Sequence, residues 1–152
     1  MIQELITLYK SSKNISFIIK KTLPQLFCNQ AQMLQVFENL VSNSIKYLDK
    51  PNGVITIDYE DFENNYLFCY EDNSKGIAEA NQVELFKLFK KNIVKGHYQS
   101  SGVGLPMVQR IIEKYGGKIW VESTLGVGTK FFFTLPKERI VDSKNFNYKS
   151  GS

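Results

Sequence analysis

The chain has 152 residues, 43% of them hydrophobic, and a formal net charge of +4. This is the length of one ordinary domain, able to bury a working core without metals or cross-links. Two cysteines, Cys28 and Cys69, and a single histidine, His97, suggest neither a zinc site nor a disulfide framework. No apolar stretch approaches the roughly 18 residues of a membrane helix, and no run exceeds two adjacent basic residues, which argues against a nucleic-acid surface.

In chain order, residues 1–12 carry Ile2, Leu5, Ile6, Leu8 and Tyr9 in a short helical pattern that reads as the stub of an upstream helix. The Ile- and Phe-rich stretch at 15–20 predicts a strand, and Pro24 with Cys28-Asn29-Gln30 a loop. From Gln30 to Lys50 runs a predicted helix, stopped by Pro51-Asn52-Gly53. At about 100° per residue, Met33, Phe37, Leu40, Val41, Ser44 and Leu48 share one arc, and Asn39, Asn43, Lys46 and Tyr47 another. The first arc predicts packing, the second a polar stripe.

Alternation at 54–60 and again at 66–71 predicts a hairpin whose second strand runs into Asp72-Asn73. A short helix is expected over 83–90, then a mobile segment from Lys91 to Ser101. Pro106 in a first turn, apolar residues at helical spacing and Gly116-Gly117 at the stop predict a helix from Val103 to Tyr115. Strands at 118–123 and 130–135, joined by the Gly126 and Gly128 turn, predict a closing hairpin with Phe131, Phe133 and Leu135 on one face. The polar tail from 138 onward is expected to be flexible, leaving a domain over 13–137.

Three features carry chemistry, and each has an ordinary alternative. Amide oxygens on one helix stripe are hard ligands suited to Mg²⁺ on a triphosphate, with Lys46 as phosphate charge, yet Asn also fills solvated helix faces. Asp72, where a strand opens into a loop, can accept a hydrogen bond from an adenine amine, or can be a turn residue. Gly102 and Gly104 at a helix start offer backbone N–H groups to phosphate, though helix entries often hold glycine.

Taken in order, these pieces resemble the GHKL ATPase and kinase superfamily, and within it the catalytic ATP-binding domains of two-component sensor histidine kinases. QVFENLVSNSIKYL is similar to the family's asparagine box, EDNSKGI to its first glycine box, LFKLFKK to its phenylalanine box, and SSGVGLPMVQRIIEKYGGKIWVESTLGVGTKFFFTLP to its second glycine box and the sheet after it. The resemblance implies an α/β, two-layer sandwich of the Bergerat type, with a mixed, mostly antiparallel sheet covered on one face by helices. It implies ATP and Mg²⁺ as ligands, with Asn39 and Asn43 on the metal, Lys46 on the phosphates and Tyr47 against the adenine. Asp72 would read the base, with Gly76 and Ile77 beside it. Phe86 and Phe89 would anchor a lid over 91–101 whose closure brings Gly102, Val103, Gly104 and Leu105 to the triphosphate.

The implied activity is protein-histidine kinase, transferring the γ-phosphoryl group to a histidine on the protein's own dimerisation and phosphoacceptor domain, with a response regulator as the next partner. His97 lacks the acidic neighbour of an acceptor box. The implied setting is cytoplasmic, including the cytoplasmic part of a membrane-bound sensor, with no nucleic acid and no direct membrane contact. Ser74, Ser100, Lys91 and Pro106 depart from the family pattern, and weakened nucleotide affinity is expected from them. Two alternatives stay open: a degenerate interaction module of the same fold, and an ATP hydrolase. The second is disfavoured because hydrolases of the superfamily place a glutamate base where Asn39 stands.

Overall fold

A computed structural model describes residues 7, 14–26, 28–86 and 101–137, with the side chains of 101–103 excepted. The elements are β1 (Ile15–Ile19), α1 (Gln30–Lys46), β2 (Gly53–Asp61), β3 (Asn65–Asp72), α2 (Glu79–Gln82), α3 (Ser101–Lys114), β4 (Ile119–Thr124) and β5 (Gly128–Pro136). The five strands form one sheet in the order β1-β2-β3-β5-β4. Among the described residues only β1 and β2 pair in parallel; the other pairs are antiparallel. The expected mixed, mostly antiparallel sheet is therefore present.

Period-two alternation makes one face of this sheet apolar. Ile55 and Ile57 of β2, Phe68 and Tyr70 of β3, and Phe131, Phe133 and Leu135 of β5 are buried there. Against them pack Met33, Val36, Phe37, Leu40 and Val41 of α1 and Leu105, Val108 and Ile112 of α3. Phe133 organises the contact: Phe68 stacks on it at 5.1 Å, and Phe37 meets it edge-on at 6.0 Å. Such aromatic pairs add about 0.5–1.5 kcal/mol beyond the area they bury. The opposite face carries Glu71, Lys130 and Glu122 in register, and Trp120, 39% exposed, stacked on Phe132.

The two long helices are tied at one end. Asn29 caps α1, its Oδ1 accepting the Gln32 N–H at 3.0 Å. The Tyr115 hydroxyl, just past α3, donates to Gln32 Oε1 at 2.6 Å and accepts the Asn29 N–H at 2.9 Å.

Several expected boundaries differ. Helix α1 ends at Lys46 rather than Lys50, because the chain must be extended before Pro51 and the Leu48 N–H turns back to the Ile45 carbonyl. A short helix that was not expected forms at Glu79–Gln82; of the helix expected over 83–90, Val83 to Phe86 form turns and 87–90 lie outside the described residues. Gln82 anchors the Glu79–Gln82 turn, its amide donating to the carbonyls of Ile77 at 2.7 Å and Ser123 at 3.0 Å. Helix α3 begins at Ser101, two residues early, so Pro106 falls in the second turn and not the first. There it withholds the N–H that the carbonyl four residues back would receive. Of the segment expected over 91–101, only Ser101 is described; the stub over 1–12 (Thr7 excepted) and the tail from 138 lie outside the described residues.

Candidate functional site

Residues i, i+4 and i+7 on a helix share a face, so the second half of α1 aligns Asn39, Asn43 and Lys46. Lys46 is exposed, whereas Asn43 is 3% exposed, and its amide makes no hydrogen bond among the described residues. A buried amide left without a partner costs about 1–3 kcal/mol. Asn39 stands beside the entry to α3. A Cβ built on Gly104 would lie 2.8 Å from Asn39 Oδ1, so any side chain there would push the Asn39 amide aside.

Tyr47 caps α1 and carries two ammonium groups on its ring, Lys46 Nζ at 5.4 Å and Lys75 Nζ at 5.9 Å from the centroid. Its carbonyl accepts the Lys75 N–H at 3.0 Å, which fastens the loop after β3 to the end of α1. The same loop is fastened to the β4–β5 turn by the Gly126 N–H on the Lys75 carbonyl at 2.7 Å. Asn73 holds its other side, accepting the Val54 N–H at 2.8 Å.

Asp72 ends β3 with its side chain turned toward α1, 6% exposed. Its Oδ1 accepts the N–H groups of Ser74 at 3.0 Å and Thr129 at 3.1 Å, and its Oδ2 accepts the Ser44 hydroxyl at 2.5 Å. Ser44 also lies 2.9 Å from the Tyr70 hydroxyl. A cavity of about 10 Å³ beside Ser44, Asp72 and Ser74 has room for roughly one water. Gly76 has φ +84°, and a side chain there would strike the Thr124 carbonyl. Its close approach is thus to the chain's own β4. Ile77 is buried and donates its N–H to Ser123 Oγ at 2.8 Å.

The structure brings together Asn39, Asn43, Tyr47, Asp72, Gly76, Ile77 and Gly104, through the Gly104–Asn39 approach, the Ser44–Asp72 bond and the Tyr47–Lys75 bond. Leu105 is fully buried, so its side chain serves the core. Gly102 and Val103 are described only as helical backbone, and Phe89 lies outside the described residues. Ser74 has no positive φ; its hydroxyl instead accepts the Gly76 N–H at 3.2 Å. The glycine expected at this position is therefore not demanded by the backbone.

Ser44, Tyr70, Lys75, Thr129 and Ser123 belong to the arrangement without having been expected in it. Ser44 was detectable as the one hydroxyl in an otherwise apolar arc, and Tyr70 as the residue two before Asp72, hence on the same sheet face. An open groove of about 460 Å³ is lined by Glu71, Asp72, Glu79 and Glu122 with Lys130 among them, a net negative lining that repels a polyphosphate.

A model of the histidine kinase-, DNA gyrase B- and HSP90-like ATPase family matches residues 28–139. Cyanobacterial phytochrome B of Nostoc sp. is 44% identical over 121 residues, covering 77% of this chain and 16% of that protein. The adaptive-response sensory kinase SasA of Prochlorococcus marinus is 37% identical over 123 residues, covering 78% of this chain and 32% of that protein. This chain thus spans about a sixth to a third of the length of these relatives. The catalytic domain of histidine kinase ThkA superposes with a TM-score of 0.71 at 27% identity, covering 90% of this chain and 89% of that one. With a match over most of its length, and with the site built on the same elements that carry the motifs, the chain belongs to the histidine kinase-, DNA gyrase B- and HSP90-like ATPase family, alongside the catalytic domains of sensor histidine kinases.

Proposed function

We propose that residues 13–137 form the ATP- and Mg²⁺-binding catalytic domain of a sensor histidine kinase, presenting the γ-phosphate to a histidine on a separate dimerisation and phosphoacceptor domain. The observation that carries this reading is the pairing of a buried acceptor, Asp72, with a buried amide, Asn43, that has no hydrogen-bond partner among the described residues, at one end of the helix layer. Asp72 retains acceptor capacity for an exocyclic amine, and Tyr47 offers a ring to the base. Lys46 and Lys75 supply positive charge beside it.

The amide oxygens of Asn39 and Asn43 are hard, neutral donors that fit Mg²⁺ carried on phosphate oxygens. Magnesium bound there would neutralise phosphate charge. Among the described residues there is no cluster of three or more His, Cys, Asp or Glu ligands. Kinase chemistry of this class consists mainly of positioning and charge stabilisation, which the chain's fixed groups supply.

Hydrolysis needs a base for the attacking water. Asn39 cannot take a proton, and its neighbour Glu38 is exposed about 100° around the helix. The interaction-module alternative rested on Ser74 and Ser100; Ser74 completes a hydrogen-bonded loop under the site, and Ser100 lies outside the described residues. In the whole protein, the phosphoryl group would pass on to a response regulator, in a cytoplasmic setting. No described helix is long and apolar enough to cross a membrane.

Calorimetric titration with a non-hydrolysable ATP analogue, with and without Mg²⁺, tests the site. Magnesium-dependent binding that disappears in Asn43→Ala and in Asp72→Ala is expected. Absence of binding at millimolar analogue would overturn the proposal.

A further inference from the structure

Tyr70, Ser44 and Asp72 form a one-way chain of hydroxyl contacts beneath the base-reading carboxylate. Tyr70 and Asp72 are two apart on β3 and so face the same side, toward α1, where Ser44 is buried between them. An ionised carboxylate only accepts, so the single Ser44 proton must point to Asp72 Oδ2 at 2.5 Å. Ser44 then has only lone pairs to offer, and the Tyr70 hydroxyl at 2.9 Å must be the donor to it. On the other oxygen, Oδ1, both acceptor positions are taken by the N–H groups of Ser74 and Thr129. A carboxylate has about four lone-pair sites, which leaves one, on Oδ2.

Resting on the ATP-binding reading above, we propose that Ser44 and Tyr70 are positioning residues that set purine selectivity. They hold Asp72 as a fixed acceptor with a single open site. A base bearing an amine at the purine 6-position fills that site. A base bearing a keto oxygen there places acceptor against acceptor in a buried pocket, where mismatched polar groups are expensive. Without the Ser44 hydroxyl, the carboxylate loses its Oδ2 tether and is free to turn. Selectivity would then fall even though every group that touches the base is still in place.

The test is titration of the 152-residue chain, Ser44→Ala and Tyr70→Phe with ATP and with inosine triphosphate in Mg²⁺, each variant also checked by thermal melting. The two nucleotides differ at the 6-position and in the proton that the 6-keto base carries on N1, so their ratio reports on this one edge of the purine. Wild type is expected to prefer ATP, and Ser44→Ala to lower the ATP-to-inosine ratio about tenfold, the effect of losing one charge-assisted hydrogen bond. Tyr70→Phe shifts the ratio the same way by a smaller factor. It keeps the buried ring, so it carries the test if Ser44→Ala melts early. A structural role alone would weaken both nucleotides alike and leave the ratio unmoved. If wild type discriminates and the folded variants keep its ratio within about twofold, the relay idea falls while the ATP reading stands. If wild type binds neither triphosphate, the ATP reading itself fails and takes this inference with it.

Discussion

Gly104, in the first turn of α3, leaves no room for a methyl group beside Asn39 of α1: a Cβ there would stand 2.8 Å from Asn39 Oδ1 and 2.9 Å from its Cγ. In Gly104→Ala, the gain in helix propensity of about 1 kcal/mol opposes the overlap, and a short amide side chain can rotate away. Stability should therefore change by no more than about 1 kcal/mol, while the displaced Asn39 amide lowers magnesium-dependent affinity for the ATP analogue about tenfold. Melting and calorimetry on the same preparation separate the two effects. Unchanged affinity would show that the Asn39 amide is not a metal ligand.

The Asn43 amide is buried without a hydrogen bond among the described residues, so its removal should help the fold and harm the site. Asn43→Leu, which keeps the branching and the number of side-chain heavy atoms, is expected to stabilise the nucleotide-free chain by about 1–3 kcal/mol. ATP-analogue binding is expected to vanish. Denaturant unfolding without nucleotide reads the first effect, and a destabilised variant would contradict the burial argument.

Tyr115 joins the C-terminal end of α3 to the cap of α1 through its hydroxyl, which meets both Gln32 and Asn29. Tyr115→Phe keeps the ring and deletes these bonds, so it should cost about 1 kcal/mol of stability. Nucleotide affinity should be unchanged, because the tie lies at the opposite end of α1 from Asn43. Urea midpoints with an unaltered slope would register the loss; an affinity change would indicate coupling along the helix.

Burial pushes the Cys69 thiol above its usual range, and the Glu71 carboxylate adds to the shift. A raised value means less thiolate at neutral pH, so alkylation of Cys69 in the folded chain should be slow at pH 7–8. It should still be climbing above about pH 8.5, where an ordinary thiol begins to level off. Because the folded state holds this proton more tightly than the unfolded one, the contribution to stability is present below the ordinary thiol range and is lost as pH rises through the folded value. Peptide mapping after timed iodoacetamide exposure measures the rate; rapid labelling at neutral pH would contradict the shift.

Much of this molecule was legible in one dimension. Alternation at 54–60 and 66–71 locates β2 and β3, and the apolar arc of Met33, Phe37, Leu40 and Val41 locates the face that α1 buries, because strand and helix periods are local properties of the chain. Asn39, Asn43 and Asp72 were also visible from spacing and chain order. Other features required the third dimension. Ser44 reads as packing in sequence and proves to hold Asp72, because β3 crosses beneath α1 and brings together groups 28 positions apart. Thr129 reaches the same carboxylate only because β5 pairs with β3, a register that no local pattern encodes. The start of the short helix at Glu79 depends on Gln82 finding the Ser123 carbonyl of β4. Local periodicity determined which residues face inward; the contacts between distant strands decided which of the inward polar groups acquire partners, as Asp72 does from Ser44 and Thr129.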